Sequence, residues 1–471
     1  MPCQGTGRRR PSVEETALHA ELRALVGQDC VLPGTSPEYL ADATEAQGLR
    51  GRADAICLPR SAQEVMSVLS WCYDHDVPLI PRGGGTGYAG GAVPLDGGVV
   101  LGLERLTRVR SFDPALWRIH VEAGVRTADL RRLVREHGLL FPPDPGAAES
   151  SQIGGNVATN AGGPHAFKYG VTGAWVTGVE VVVPPGDLLV IGGAIRKDAA
   201  GYDLKSLLIG SEGTLGIITA VWLRLVPAPE AALPVVAVYE SARAGCGAVE
   251  QVLAHGIEAA ALEYLDGGTL AAAGSSFAGG LSEGADFMVI AEADGSAADA
   301  ARIRDDLIDV LGQDALSVIA PTERAEVRAL WRWRDGVSIA VTTNRGGKMS
   351  EDIVVPVDRL AEAIEGTIEI GRRLGLPACS WGHAGDGNLH STFLLSPGDE
   401  DELARASAAA AELFALATSL GGSISGEHGL GCVKNGQLAL QWPARAVELH
   451  TQIKELFDPK GLLNPGKKVA L

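Results

Sequence analysis

Hydrophobic residues along the chain switch between helical and strand spacing, and the switches predict its elements. In SAQEVMSVLSWCYDHD, Val65, Val68, Leu69 and Cys72 fall on one helical face, and Ser61 with Glu64 forms a capping box at the start. The pattern then runs into VPLIP, an apolar run with the length of a buried strand. In TADLRRLVREHG the same logic repeats: Thr127 stands at the cap, Leu130, Leu133 and Val134 share a face, and Gly138 stops the helix. VVLGLERL, RIHVEAG and GVEVVV read as short strands. Residues 38–228 are therefore expected to form an α+β, sheet-rich region. Past VPAPEAALP the composition changes to Ala-rich helical stretches alternating with strands such as DFMVIAEA, so a boundary is placed there and a second region runs over 229–425. Residues 426–471 hold SGEHGLG, an amphipathic helix over AVELHTQIKELF and the turn DPKGLLNPGK, and residues 1–37 read as a helical extension.

A chain of 471 residues exceeds what one growing core accommodates, so two or more lobes are expected. The net charge of -18 argues against nucleic-acid or anionic-membrane partners, and an anionic substrate would need local basic residues. No apolar run reaches the roughly 18 to 20 residues of a membrane span. The N-terminal MPCQGTGRRRP is followed by an acidic amphipathic pattern rather than a signal-peptide core, and a cytoplasmic location, or one peripheral to a membrane through a partner, is expected. The seven cysteines are scattered without a Cys-x-x-Cys pair and read as reduced structural thiols. A thiolate-bound iron–sulfur centre would sit on a partner.

Three glycine-rich segments punctuate the first region. PRGGGTGYAGG matches the dinucleotide fingerprint by letter, but AVPLDGG follows it where that motif must open a helix. Its glycines could instead let backbone N–H groups converge on a phosphate, and taken alone a flexible turn explains the segment equally well. SSQIGGNVATNAGG and AAGYDLKSLLIGSEGTLGIIT combine small residues with hydrogen-bonding side chains in the same way. Three such segments are hard to explain as turns, given the entropic cost of ordering glycine.

The second region and the last stretch together offer a metal-ligand constellation. GHAGDGNLH sets His383 and His390 seven positions apart around a Gly-Asp-Gly turn, and SGEHGLG supplies Glu427 beside His428. Two imidazoles and a carboxylate suit Zn²⁺ or a similar divalent ion with positions left open for substrate. His428 has the ordinary pKa range of a general base.

PRGGGTG, GGNVATNAGG, GYDLKSLLIGSEGTLGIIT, GHAGDGNLH and SGEHGLG, in that order, resemble the vanillyl-alcohol-oxidase-type FAD flavoproteins, in the branch of D-lactate, glycolate and D-2-hydroxyglutarate dehydrogenases. The resemblance implies a two-subdomain PCMH-type FAD-binding domain with an α+β, ferredoxin-like cap domain. It implies that Arg82, Gly83, Gly84, Gly85, Thr86 and Gly87 cradle the FAD pyrophosphate. By the same token Gly154, Gly155, Asn156, Thr159 and Asn160 lie along the flavin, Gly216, Ile217 and Ile218 hold the adenine side, and Asn464 approaches the flavin ring. Residues 82–91 contain Tyr88 but no His or Cys, so FAD is expected to be non-covalent. The implied reaction oxidises a small D-2-hydroxy acid to the 2-oxo acid, with His428 as base and Arg334 of LWRWRDG binding the substrate carboxylate. The implied partners are an electron acceptor (quinone, cytochrome, electron-transfer flavoprotein or iron–sulfur subunit), with a homodimer as an option.

Two positions depart from the hydroxyglutarate-specific pattern: Thr392 replaces an Asn and Ser350 replaces a Lys, with Lys348 out of register. Thr392 is then a substrate-binding residue for a smaller acid such as lactate or glycolate. The rivals are D-2-hydroxyglutarate oxidation, an FAD-dependent transferase of the alkyl-dihydroxyacetonephosphate synthase type, against which Glu427 argues, and a redox-silent FAD-binding subunit, which would lack the two histidines and the glutamate.

Overall fold

Ser61 accepts a hydrogen bond from the Glu64 amide at 3.2 Å and opens the helix Ala62–Asp74, which buries Val65, Val68, Leu69 and Cys72. The Glu64 carboxylate reaches one residue further back than a capping box requires, to the Arg60 amide at 2.6 Å. In the computed structural model, residues 15–44 and 48–469 are described; Cys3 and the basic cluster Arg8–Arg10 lie outside them.

The chain divides into two compact units. The first takes the described residues up to Gly162, Val171–Pro227 and the described residues from Glu427 onward. It contains a four-stranded sheet in the order Val31–Pro33, Ala55–Cys57, Val99–Gly102, Leu79–Arg82, whose last three strands are parallel. A five-stranded antiparallel sheet follows the order Val109–Asp113, Arg118–Glu122, Ile217–Arg224, Val176–Val183, Asp187–Gly192. The helix Glu15–Val26 buries Leu18, Leu22 and Val26 in the same core as Val65, Leu69 and Leu101. At roughly 1.5–3 kcal/mol for each buried aliphatic side chain, that contact makes it part of this unit rather than an appendage. The C-terminal stretch lies beside Leu79, with Leu79 N–H donating to Leu462 O at 2.9 Å and Asn464 N–H to Leu79 O at 2.7 Å.

The expectation that Thr127 caps a helix is corrected. Arg126 is the cap, without a side-chain bond, and Thr127 is the first residue of Thr127–Arg135. Its buried hydroxyl contacts Ser151 Oγ at 2.8 Å and accepts from Asn156 Nδ2 at 2.6 Å, so it serves the second glycine segment.

The second unit takes residues 163–170 and Ala228–Gly426. Its seven strands are antiparallel, in the order Ser317–Ile319, Ala231–Tyr239, Phe287–Gly295, Ala261–Asp266, Ala378–His383, Asn388–Leu395, Gly347–Val354. Because side chains alternate across a sheet, even and odd positions of Asn388–Leu395 face opposite ways. Ser391 bonds Thr367 Oγ1 of the helix Leu360–Leu374 at 2.9 Å. On the other face, Leu265, Met288, Cys379 and Trp381 pack with Leu330, Val337 and Val341 of the helices Arg324–Asp335 and Val337–Arg345.

Residues 163–170 were expected within the glycine-rich first region. Side-chain chemistry draws them into the second unit instead: His165 Nε2 lies 2.8 Å from Glu292, and Lys168 Nζ and the Tyr169 hydroxyl bond Asp294 at 2.6 and 2.5 Å.

Candidate cofactor and metal sites

In the first unit the glycine segments meet because they lack side chains. A Cβ on Gly84 would stand 2.3 Å from the Ser150 carbonyl oxygen, and one on Gly83 would be 3.3 Å from Gly155 Cα. The first and second segments therefore touch backbone to backbone. Gly85, at φ 67°, leaves room for the Arg82 guanidinium, which donates to Ala41 O and Glu38 O at 2.7 Å each. Arg82 thus organises the segment from behind. The third segment joins through backbone bonds from Gly210 N–H to Val157 O at 2.9 Å and Glu212 N–H to Ala158 O at 2.7 Å.

Gly154 abuts Ala123, where a Cβ would lie 2.5 Å away, and Thr159 Oγ1 bonds Gly155 O at 3.1 Å. Asn160 takes the left-handed conformation at φ 54°, ends the helix Ile153–Thr159 and accepts from Gly173 N–H at 2.8 Å. Gly216, Ile217 and Ile218 open the buried strand beside Val181 and Val182. A cleft of about 380 Å³ lies beside Gly85, Thr86 and Tyr88. Among the described residues, Gln152 Oε1 and Ser211 Oγ are buried without a hydrogen-bond partner, and a Cβ on Gly87 would meet nothing within 4 Å. Orphaned polar atoms and open space at side-chain-free backbone fit a large polar cofactor.

Asn464, expected to approach the flavin ring, is fastened in place by its side chain. Its amide donates to Gly91 O at 3.0 Å and Glu212 O at 2.8 Å, committing both N–H groups to fastening the C-terminal stretch.

Glu212, which the sequence reading missed, holds the segment that carries His428. Its carboxylate accepts from Leu430 N–H at 2.9 Å, Gly431 N–H at 2.6 Å and Lys468 Nζ at 3.0 Å. Cys432 N–H reaches Ala89 O at 2.9 Å, and the His428 ring stacks on Tyr88 with centroids 4.9 Å apart. His428 Nε2 is 3.9 Å from Glu427 Oε1. Burial first, and then the Glu427 charge, push the Tyr88 phenol upward from its ordinary pKa.

The second unit presents a row of side chains on one sheet face. The register sets Glu263 beside His383, Trp381 beside His390, His390 beside Asp352, and Thr392 beside Ser350. The His383 and His390 rings meet edge to face at 5.3 Å. Buried Asp352 accepts from Asn388 Nδ2 at 2.6 Å, Ser425 Oγ at 2.7 Å and Gly426 N–H at 2.8 Å. Glu427 is peptide-bonded to that tethered glycine. His383, His390 and Glu427 each offer one ligand atom, all within 4.8 Å of one another. Two nitrogens and one carboxylate oxygen so gathered fit a divalent ion of the Zn²⁺ type.

Arg334 lies on the helix Arg324–Asp335 and forms an ion pair with Glu263, which is fully buried and also sits 2.5 Å from His383 Nδ1. Burial raises the Glu263 carboxyl, but Arg334 and His383 outweigh it and hold the group at about 2. The guanidinium expected to bind substrate is thus partly committed to a protein carboxylate. Thr392 Oγ1 lies 2.8 Å from Ser350 Oγ, so two short hydroxyls occupy the departure positions. Lys348 is buried on the same face and donates to Ser338 O at 2.9 Å and Ser338 Oγ at 2.6 Å. Glu263 and Asp352 were also missed; the sequence signal was acid within an apolar run, Glu263 in ALEYL and the pair Glu351 and Asp352 in EDIVV.

The six cysteines among the described residues are all buried and in no disulfide, and burial pushes the thiols of Cys57, Cys246 and Cys379 up to about 12, which fits structural thiols. No helix among the described residues is long and apolar enough to cross a membrane.

Residues 53–192 match the family described as FAD binding domain, and residues 228–468 match that of FAD linked oxidases, C-terminal domain. The chain is 37% identical to the glycolate oxidase subunit GlcD of Bacillus subtilis, covering 92% of each chain. It is 33% identical to a D-lactate dehydrogenase of Anaerostipes hadrus, covering 97% of this chain and 96% of the relative. It is 34% identical to the mitochondrial D-2-hydroxyglutarate dehydrogenase of Rattus norvegicus, covering 94% and 84%. Among solved structures, 4-ethylphenol oxidase from Gulosibacter chungangensis shares the fold with a TM-score of 0.78 at 20% identity, covering 99% of each chain.

Proposed function

Because the chain belongs to the FAD-linked oxidases, we propose that it is a dehydrogenase that oxidises a small D-2-hydroxy acid to the 2-oxo acid. The observation that carries this reading is the convergence of His383, His390 and Glu427 ligand atoms within 4.8 Å. An α-hydroxy carboxylate offers two oxygens to such a site, whereas a simple alcohol offers one.

The glycine segments around Gly84, Gly155 and Gly216 hold non-covalent FAD, and His383, His390 and Glu427 hold the metal. When bound, FAD supplies the two-electron acceptor for the α-hydrogen, and the divalent ion supplies the Lewis acid that lowers the hydroxyl pKa. His428 takes the hydroxyl proton, and its stacking on Tyr88 restrains the imidazole plane during that transfer. Arg334 offers the N–H groups left over from Glu263 to the substrate carboxylate. The hydrogen-bonded hydroxyls of Ser350 and Thr392 place no cation where a second substrate carboxylate would need one, which favours monocarboxylates such as lactate or glycolate. Electrons leave through a partner acceptor.

Anaerobic addition of D-lactate or glycolate to the purified yellow protein should bleach the flavin, and a chelator should slow the reaction. Failure of every D- and L-2-hydroxy acid in a panel to reduce the flavin would sink the proposal. His428→Asn should keep FAD and lose turnover; full activity in that variant removes His428 as the base.

A further inference from the structure

Glu263 is the central residue of the strand Ala261–Asp266 and lies opposite His383 in the antiparallel register. It is fully buried, as is expected of an acid only when every oxygen has a partner. One oxygen faces His383 Nδ1 at 2.5 Å, and the other is held by Arg334. Three features make this more than a core ion pair. A carboxylate can only accept, so the shared proton belongs to Nδ1, and Nε2 is the ring nitrogen that carries the lone pair. Arg334 also stops the carboxylate from turning away, because each oxygen is anchored by a different cationic or N–H group. Lastly, a buried ion pair adds little stability over apolar residues of the same volume, so stability alone gives Glu263 little reason to be here.

We propose that Glu263 is a positioning residue of the metal centre: its carboxylate fixes the tautomer and ring plane of His383, and Arg334 serves as its counter-charge. This rests on the metal reading above. The role belongs to the second unit alone, since Glu263, Arg334 and His383 all lie in it. Outer-shell carboxylates on ligating histidines typically govern metal affinity by about 10- to 100-fold.

The test is titration of the metal-free holoflavoprotein with Zn²⁺ against a competing chelator, and with Co²⁺ followed by its visible absorption. Glu263→Gln should weaken both affinities by about 10- to 100-fold while the FAD content stays unchanged. The double variant Glu263→Gln with Arg334→Met removes the uncompensated charge and keeps the question answerable if the single variant folds poorly. It should recover thermal stability yet bind metal as weakly as Glu263→Gln. Wild-type affinity in the well-folded double variant would overturn the positioning role and leave an ordinary core ion pair. If the wild-type chain itself binds neither ion, the metal reading fails first and this inference with it, so the two failures are told apart by the wild-type titration.

Discussion

The two units prepare for polar ligands in opposite ways. The first does so by subtraction: Gly83, Gly84 and Gly154 bring backbones so close that any Cβ would press on a neighbour, which leaves main-chain N–H and C=O as the groups on offer. The second does so by addition, burying Glu263, Asp352, His383 and His390 on one sheet face and holding Glu263 against His383 and Asp352 against a tethered loop. Subtraction costs backbone entropy and leaves little to titrate. Addition costs desolvation and leaves a row of groups whose charge depends on exact pairing.

The largest expected break is on the side-chain site. His390→Ala should lower kcat by about 10³-fold or more, the scale of losing a Lewis acid worth several kcal/mol, while the protein stays yellow. Loss of FAD in that variant would mean that the two sites are not separable in the way the comparison holds.

Charge without a role in the site should be a cost in the second unit. Burial draws the Lys348 ammonium from its ordinary 10.5 down to about 8. Its folded pKa is below the unfolded one, so the unfolded chain binds more protons between about pH 8 and 10.5, and stability rises with pH across that window. Lys348→Met should therefore stabilise the protein near pH 7, by at most about 3 kcal/mol on the scale of 1.36 kcal/mol per pKa unit, and the gain should shrink as pH approaches 10. A gain in melting temperature that is flat with pH would refute the assignment.

On the glycine side, Gly84→Ala forces a Cβ to 2.3 Å from Ser150 O and should cost about 1–3 kcal/mol of stability together with FAD affinity. Gly87→Ala meets nothing within 4 Å, so apoprotein stability should hold and only FAD affinity should fall. Equal melting temperatures for the two apoprotein variants would deny that close backbone approach explains Gly84. The smallest effect is at Ser61, whose hydroxyl caps Ala62–Asp74; Ser61→Ala should cost about 1 kcal/mol.

His383, His390, Glu427 and the glycine segments were legible because their chemistry is local: a glycine-flanked histidine pair or a run of glycines means something over ten residues. Thr127 was misplaced because its hydroxyl answers to Ser151 and Asn156, which no local rule sees. Residues 163–170 were assigned by composition, whereas His165, Lys168 and Tyr169 follow Glu292 and Asp294 more than a hundred positions on.

The sequence by itself determined the element types and the cofactor class and singled out His383, His390 and Glu427 as candidates, because periodicity, glycine content and residue chemistry are properties of short windows. Only the tertiary structure decided which acids support them. Glu212 reaches the His428 segment, Glu263 reaches His383 and Asp352 reaches Gly426 through strand register and long-range hydrogen bonds. A carboxylate's partner depends on which backbone folds against it, and a one-residue slip of any strand would turn it to the other face.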